Sequence, residues 1–193
     1  MKKISFVDLI RDSIAAGMLI GFGCIANVSC ENNVVGALLF SIGLLAVIIQ
    51  NRFLFTGKVG YWTKFRHQTI ELFIGLFFNL ISIWLTCFVF SEFSGLPLDC
   101  GGLIQQKMNE GGVEALVRAI GCGAMMYIAV DGYHETSNPI VVIIPVMTFI
   151  LCGFDHCIAN FGYMGMYGNL FVPQQLFCWI AGNSIGSLMI SRL

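Results

Sequence analysis

Six stretches of mostly apolar residues, joined by short connections, dominate the sequence: about 9–30, 33–54, 70–92, 113–133, 139–162 and 174–191. A helix that crosses a bilayer needs about 20 such residues. The expected fold is therefore an all-α membrane protein with six transmembrane helices. Composition agrees, since 57% of the 193 residues are hydrophobic and 11% are charged, against about 25% charged in soluble domains. A soluble domain of this size has no interior large enough to hide that much apolar surface. The connections leave no room for a soluble module, so residues 1–193 are expected to form a single transmembrane domain. The longest polar stretch, Ser94 to Glu114, has room for a short surface helix.

Several classes fall away. A net charge of −1 provides no basic face for nucleic acid. The eight cysteines include no CxxC pair, and most lie inside apolar runs, where they act as small hydrophobes. No metal site and no cofactor are expected. The N-terminus carries Lys2, Lys3, Asp8, Arg11 and Asp12, with no short apolar core leading to a cleavage site, so a removed signal peptide is not expected.

Cations set the expected orientation. Lys2 and Lys3 precede the first segment, Arg52, Lys58, Lys64 and Arg66 cluster after the second, and Arg192 follows the sixth. With six spans these sites share one side, which the positive-inside bias makes cytoplasmic. Both termini are expected there, in a multi-pass protein of the cell (inner) membrane. The other side receives Glu31, Glu92, Asp99, Glu110 and Glu114, with Lys107 and Arg118 as its cations.

The two halves echo each other. Segment three contains Asn79-Leu80-Ile81-Ser82 and segment six Asn183-Ser184-Ile185-Gly186. Segment two ends in Leu54-Phe55-Thr56-Gly57, and segment five is interrupted at Gly153-Phe154-Asp155-His156. Three spans per half give opposite orientations, so the pattern fits an inverted repeat of about 9–92 and about 113–191 with a site where two broken helices meet. Small residues such as Gly121-x-Gly123 and Gly182-x-x-x-Gly186 suit close helix packing in lipid.

Ionisable side chains at mid-membrane cost a few kcal/mol and face a bundle interior or a watery path. For Asp155 the plain role is to cap a broken helix half. His156, with two ring nitrogens, suits binding or proton transfer. Thr56-Gly57 reads equally as an unwinding helix or as a helix end at the surface. Lys107 reads as a solvated loop lysine or as a lure for anions at a channel mouth. His67 and His134, at segment ends, read as surface residues.

These motifs resemble those of the formate/nitrite transporter family, over nearly the whole chain. Gly153-Phe154-Asp155-His156-Cys157-Ile158-Ala159-Asn160 is similar to the family's G-F-E-H-S-I-A-N stretch. Leu54-Phe55-Thr56-Gly57 is similar to its L-F-T-G loop, residues 35–44 to the helix before that loop, and residues 182–186 to the asparagine-glycine motif of its sixth helix. The resemblance implies an aquaporin-like protomer with helices 2 and 5 broken, a homopentamer with one pore per subunit, and passage of formate, nitrite or hydrosulfide. Carried over by position, it makes His156, Thr56 and Asn183 the pore groups that meet substrate. Phe40 and Phe149 become the outer constriction, Leu44, Leu54 and Phe55 the inner one, Lys107 a vestibule residue, and Asp155 and Asn160 supports. Three departures stand out: Gly123 where the family has asparagine, Asp155 for glutamate, and Arg52 just before the L-F-T-G loop.

Taking a bare carboxylate into a low-dielectric pore costs on the order of 20 kcal/mol. Protonating one with a pKa near that of Asp at pH 7 costs about 4 kcal/mol. Passage as the neutral acid is the cheaper route, with protons as co-substrate and His156 suited to assist. The rival readings are a channel for neutral solutes, a homologue without transport, and a membrane enzyme using Cys157 and His156. The last fits poorly, because adjacent residues on a helix point about 100° apart.

Overall fold

The computed structural model describes residues 4–62, 69–168 and 172–193. Lys2, Lys3, Lys64, Arg66 and His67, used above for orientation and surface, lie outside them. The described residues form helices α1 (Phe6–Val28), α2 (Asn33–Ile49), α3 (Phe55–Lys58), α4 (Thr69–Phe93), α5 (Gly101–Asn109), α6 (Gly112–Thr136), α7 (Ile140–Leu151), α8 (Cys157–Tyr167) and α9 (Pro173–Ile190). A 3-10 turn, Val59–Tyr61, follows α3. The chain is all-α over these residues. α1, α4 and α6 are long and apolar enough to cross a membrane by themselves, whereas α2 and α7 are shorter apolar helices.

Local chemistry sets the helix ends. Ser5 starts α1 by accepting from the Asp8 amide, and Asn32 starts α2 by accepting from the amides of Val34 and Val35. The second apolar run stops as helix at Ile49, because Asn51 turns left-handed at φ 50° and Arg52 returns its N–H to Val47. The fifth run stops at Leu151, where Gly153 takes φ +68°, a conformation open to glycine at little cost. Each run resumes as helix a few residues later, at Phe55 and at Cys157. The polar stretch 94–114 does hold a short helix, α5, though its Ile104 and Lys107 are buried.

α6 packs along α9, α1 against α2 and α4, α8 against α4, and α7 against α2 and α6. The small residues serve these contacts, since a Cβ at Gly182 or Gly186 would run into the α6 backbone. On the outside, α4 turns Phe73, Phe77, Ile81, Leu85, Val89 and Phe93 outward at four-residue spacing. Such an apolar stripe suits lipid rather than water.

Candidate functional site

The two interruptions meet inside the bundle. An amide side chain clips each to a neighbouring helix. Asn79 on α4 accepts from the Phe55 amide (2.9 Å) and donates to the carbonyls of Phe53 (2.9 Å) and Ser13 (2.7 Å). Asn183 on α9 accepts from the Cys157 amide (2.8 Å) and donates to the carbonyls of Asp155 (2.7 Å) and Ala119 (2.9 Å). Buried backbone groups with no helix to satisfy them need such partners. Gly17 and Gly123 allow the approach, because a Cβ at either would press into the carbonyl of Asn79 or Asn183. The glycine in place of the family asparagine at 123 is thus matched to close α6–α9 packing.

Between the clips lies His156, 2% exposed. Its Nδ1 accepts from the Ala159 amide at 3.0 Å, so His156 is the N-cap of α8. A backbone N–H only donates, which leaves Nδ1 bare and puts the ring proton of the neutral imidazole on Nε2. That Nε2–H donates to Thr56 Oγ1 at 2.9 Å, joining the two breaks side chain to side chain. Phe149 stacks on the imidazole at 5.7 Å, and Phe40 meets Phe149 edge-on at 5.9 Å. Leu44 and Leu54 line a separate cavity of about 20 Å³ with Val47, Val130, Arg52 and Lys58. His134, exposed as expected, reaches the same cavity. Phe55 is buried but does not line it.

Three of the readings above do not match the contacts, though the supporting role of Asp155 and the vestibule role of Lys107 are not among them. Asp155 caps no helix: its Oδ1 binds Lys107 Nζ at 2.5 Å and Asn160 Nδ2 at 2.8 Å. Lys107 is not a solvated loop lysine, being 6% exposed with a further contact to the Gly153 carbonyl at 3.2 Å. Asn183 has both N–H donors committed to backbone carbonyls, so it holds the break in place rather than offering a free donor to a solute. The N–H groups of Cys157 and Ala159, at the start of α8, are likewise taken.

Sequence reasoning passed over Asn79 as a site residue, although its echo with Asn183 was the available signal. It also passed over Glu110 and Arg118. Arg118 binds Glu110 Oε1 at 2.8 Å and Glu114 Oε1 at 2.7 Å. The spacing of Lys107 and Glu110, three residues apart, pointed to a shared face. In the first half Arg52 pairs with Asp12 at 2.8 Å.

Helices interrupted at mid-bundle around a buried polar pair define a multi-pass helical membrane protein of the transporter class. The formate/nitrite transporter family profile matches residues 1–193, and the chain belongs to that family. Two relatives are the formate channel FocA of Haemophilus influenzae, 27% identical over 65% of this chain and 51% of its own, and the uncharacterized transporter YrhG of Bacillus subtilis, 26% identical over 76% and 64%. The chain thus spans about half of the first and under two thirds of the second. Among solved structures, a pentameric formate channel with formate bound superposes with TM-score 0.75, at 22% identity over 94% of this chain and 92% of its own. A structure described as an FNT family ion channel superposes with TM-score 0.80, at 18% identity over 94% and 86%. The family is one of channels and transporters, not of enzymes.

Proposed function

We propose that this chain forms a channel for small monovalent weak-acid anions of the formate, nitrite and hydrosulfide class. The observation that carries this reading is the buried His156–Thr56 contact, which joins the two breaks, with Phe149 stacked on the imidazole and Phe40 edge-on beyond it. An anion entering such an apolar passage gains by arriving protonated, for the reason of magnitude given above. His156 then supplies a hydrogen-bond donor for the solute, whose oxygen would replace Thr56 Oγ1 on the fixed Nε2–H. The names of the relatives support the anion class. In the same reading the halves about 9–92 and about 113–191 are an inverted repeat, supported by the matching asparagine clips. The outward stripe of α4 would face lipid or a neighbouring subunit of a homopentamer. Both termini lie on the cytoplasmic side.

The test is a liposome assay. Vesicles containing the protein and a trapped pH dye are given gradients of formate, nitrite or hydrosulfide. Internal acidification above empty vesicles is expected for at least one of them, and none for all three overturns the channel. His156→Phe, which keeps the ring stack and removes the donor, is expected to lower that flux at least about tenfold while the oligomer stays intact. Unchanged flux in that variant refutes the role of His156.

A second reading, a channel for small neutral solutes, draws on the neutral imidazole itself. Swelling of vesicles in urea or ammonia, without anion-driven acidification, would select it.

A further inference from the structure

The geometry of His156 leaves the proposed passage without a proton source. Its Nδ1 is occupied by the Ala159 amide and its one ring proton faces Thr56. Giving that proton away would leave an imidazolate. Another buried cluster, at the Lys107 mouth, has what His156 lacks.

Glu110 is 6% exposed and Asp155 is fully buried, and each keeps one carboxyl oxygen, Oε2 and Oδ2, without a hydrogen-bond partner. Their other oxygens are held, Glu110 Oε1 by Arg118 at 2.8 Å and Asp155 Oδ1 by Lys107 and Asn160. Two carboxyls side by side in a buried site cannot both ionise without repulsion, and one shared proton satisfies both orphan oxygens as O–H···O. Loss of water around Glu110 and the Asp155 carboxyl beside it push the Glu110 pKa up to about 7, against the pull of Lys107 and Arg118. The charged groups around Glu110 are Lys107 from α5, Arg118 with Glu114 from α6, and Asp155 from the α7–α8 break. α9 brings uncharged Gln175 onto the neighbouring Met108 carbonyl.

We propose that Glu110 and Asp155 form a proton-binding site at the Lys107 mouth, sharing one proton between Glu110 Oε2 and Asp155 Oδ2 and passing it to a weak-acid anion drawn in by Lys107. Lys107 uses two of its three N–H donors on Asp155 and the Gly153 carbonyl, leaving one for an anion. In the transfer the Glu110 O–H bond breaks and an O–H bond forms on the anion, which moves on as a neutral acid. Glu110 is left as a carboxylate facing Arg118, and the solution at that mouth returns the proton. The transfer rests on the proposed anion passage; the shared proton does not.

Infrared difference spectroscopy on the reconstituted full chain, with no anion substrate present, tests the proton site. A protonated-carboxyl stretch is expected to titrate with a midpoint near pH 7, to vanish in Glu110→Gln and to persist in Glu114→Gln. No such stretch in the unmodified chain overturns the proposal without reliance on any variant. Its survival in Glu110→Gln does so too. In acidification assays with formate, Glu110→Gln is expected to lower flux at pH 7 at least about tenfold and to flatten its pH dependence. Unchanged flux in that variant overturns the transfer. Absence of flux in the unmodified chain refutes the channel reading and the transfer together, while the infrared band still decides the shared proton.

Discussion

The two breaks are built on one backbone plan and carry opposite chemistry. In the first, Asn79 holds Phe53 and Phe55, and Leu54 starts the short helix with no side-chain cap. In the second, Asn183 holds Asp155 and Cys157, and His156 starts α8 by capping it with its own ring. The neighbouring ion pairs invert in the same way: Asp12, just before Ser13, pairs with Arg52, whereas Arg118, just before Ala119, pairs with Glu110. Satisfying a broken backbone inside a bilayer is the shared task, and one asparagine per half meets it. Chemistry at the capping position is then free to differ.

The comparison breaks most easily at the clips. Asn79→Ala and Asn183→Ala each leave one carbonyl and one amide of a break without a partner in the interior, so each is expected to cost about 3 kcal/mol. Thermal unfolding of the detergent-solubilised oligomer checks this, and a large loss in one variant with none in the other would end the equivalence of the halves. Next comes Asp155→Ala, which leaves Lys107 buried without its counter-charge, at a cost of about 3 kcal/mol. Phe53→Ala in the same assay separates lost packing from lost charge.

A smaller effect is expected from His156→Ala, which removes the cap of α8 and costs about 1 kcal/mol against almost nothing for cap loss at Leu54. pH provides another contrast. Glu110, with its pKa raised to about 7, binds more protons folded than unfolded between its ordinary value and that pH. Stability therefore falls as pH rises through that window, and Glu110→Gln should flatten the fall. Arg52→Ala, which breaks the partly exposed pair with Asp12, is expected to shift stability by under about 1 kcal/mol.

Much of this was legible from one dimension. The apolar runs placed every long helix to within a few residues, because length and hydropathy are read by the bilayer directly. Gly153 and the Leu54–Gly57 run marked the breaks, since departures from an apolar helical pattern are local. His156 stood out as a polar group deep in its run, whereas Thr56 entered only through the family resemblance. The capping role of Asp155, the solvated reading of Lys107 and the free donor of Asn183 were misjudged for a common reason: a side chain's job depends on which atoms it meets, and those partners lie tens of residues away.

By itself the sequence determined a helical membrane bundle with two interrupted spans and a family to which it belongs. Only the tertiary structure decided that His156 turns its proton toward Thr56, because the Ala159 amide that occupies its other nitrogen is placed by the start of α8. Only the tertiary structure buried Lys107 and set Glu110 beside Asp155, since α5 and the α7–α8 break must pack together before their charges can meet. Hydropathy is additive along a chain and survives without a fold. Hydrogen-bond geometry is not, and arises only when distant segments come together.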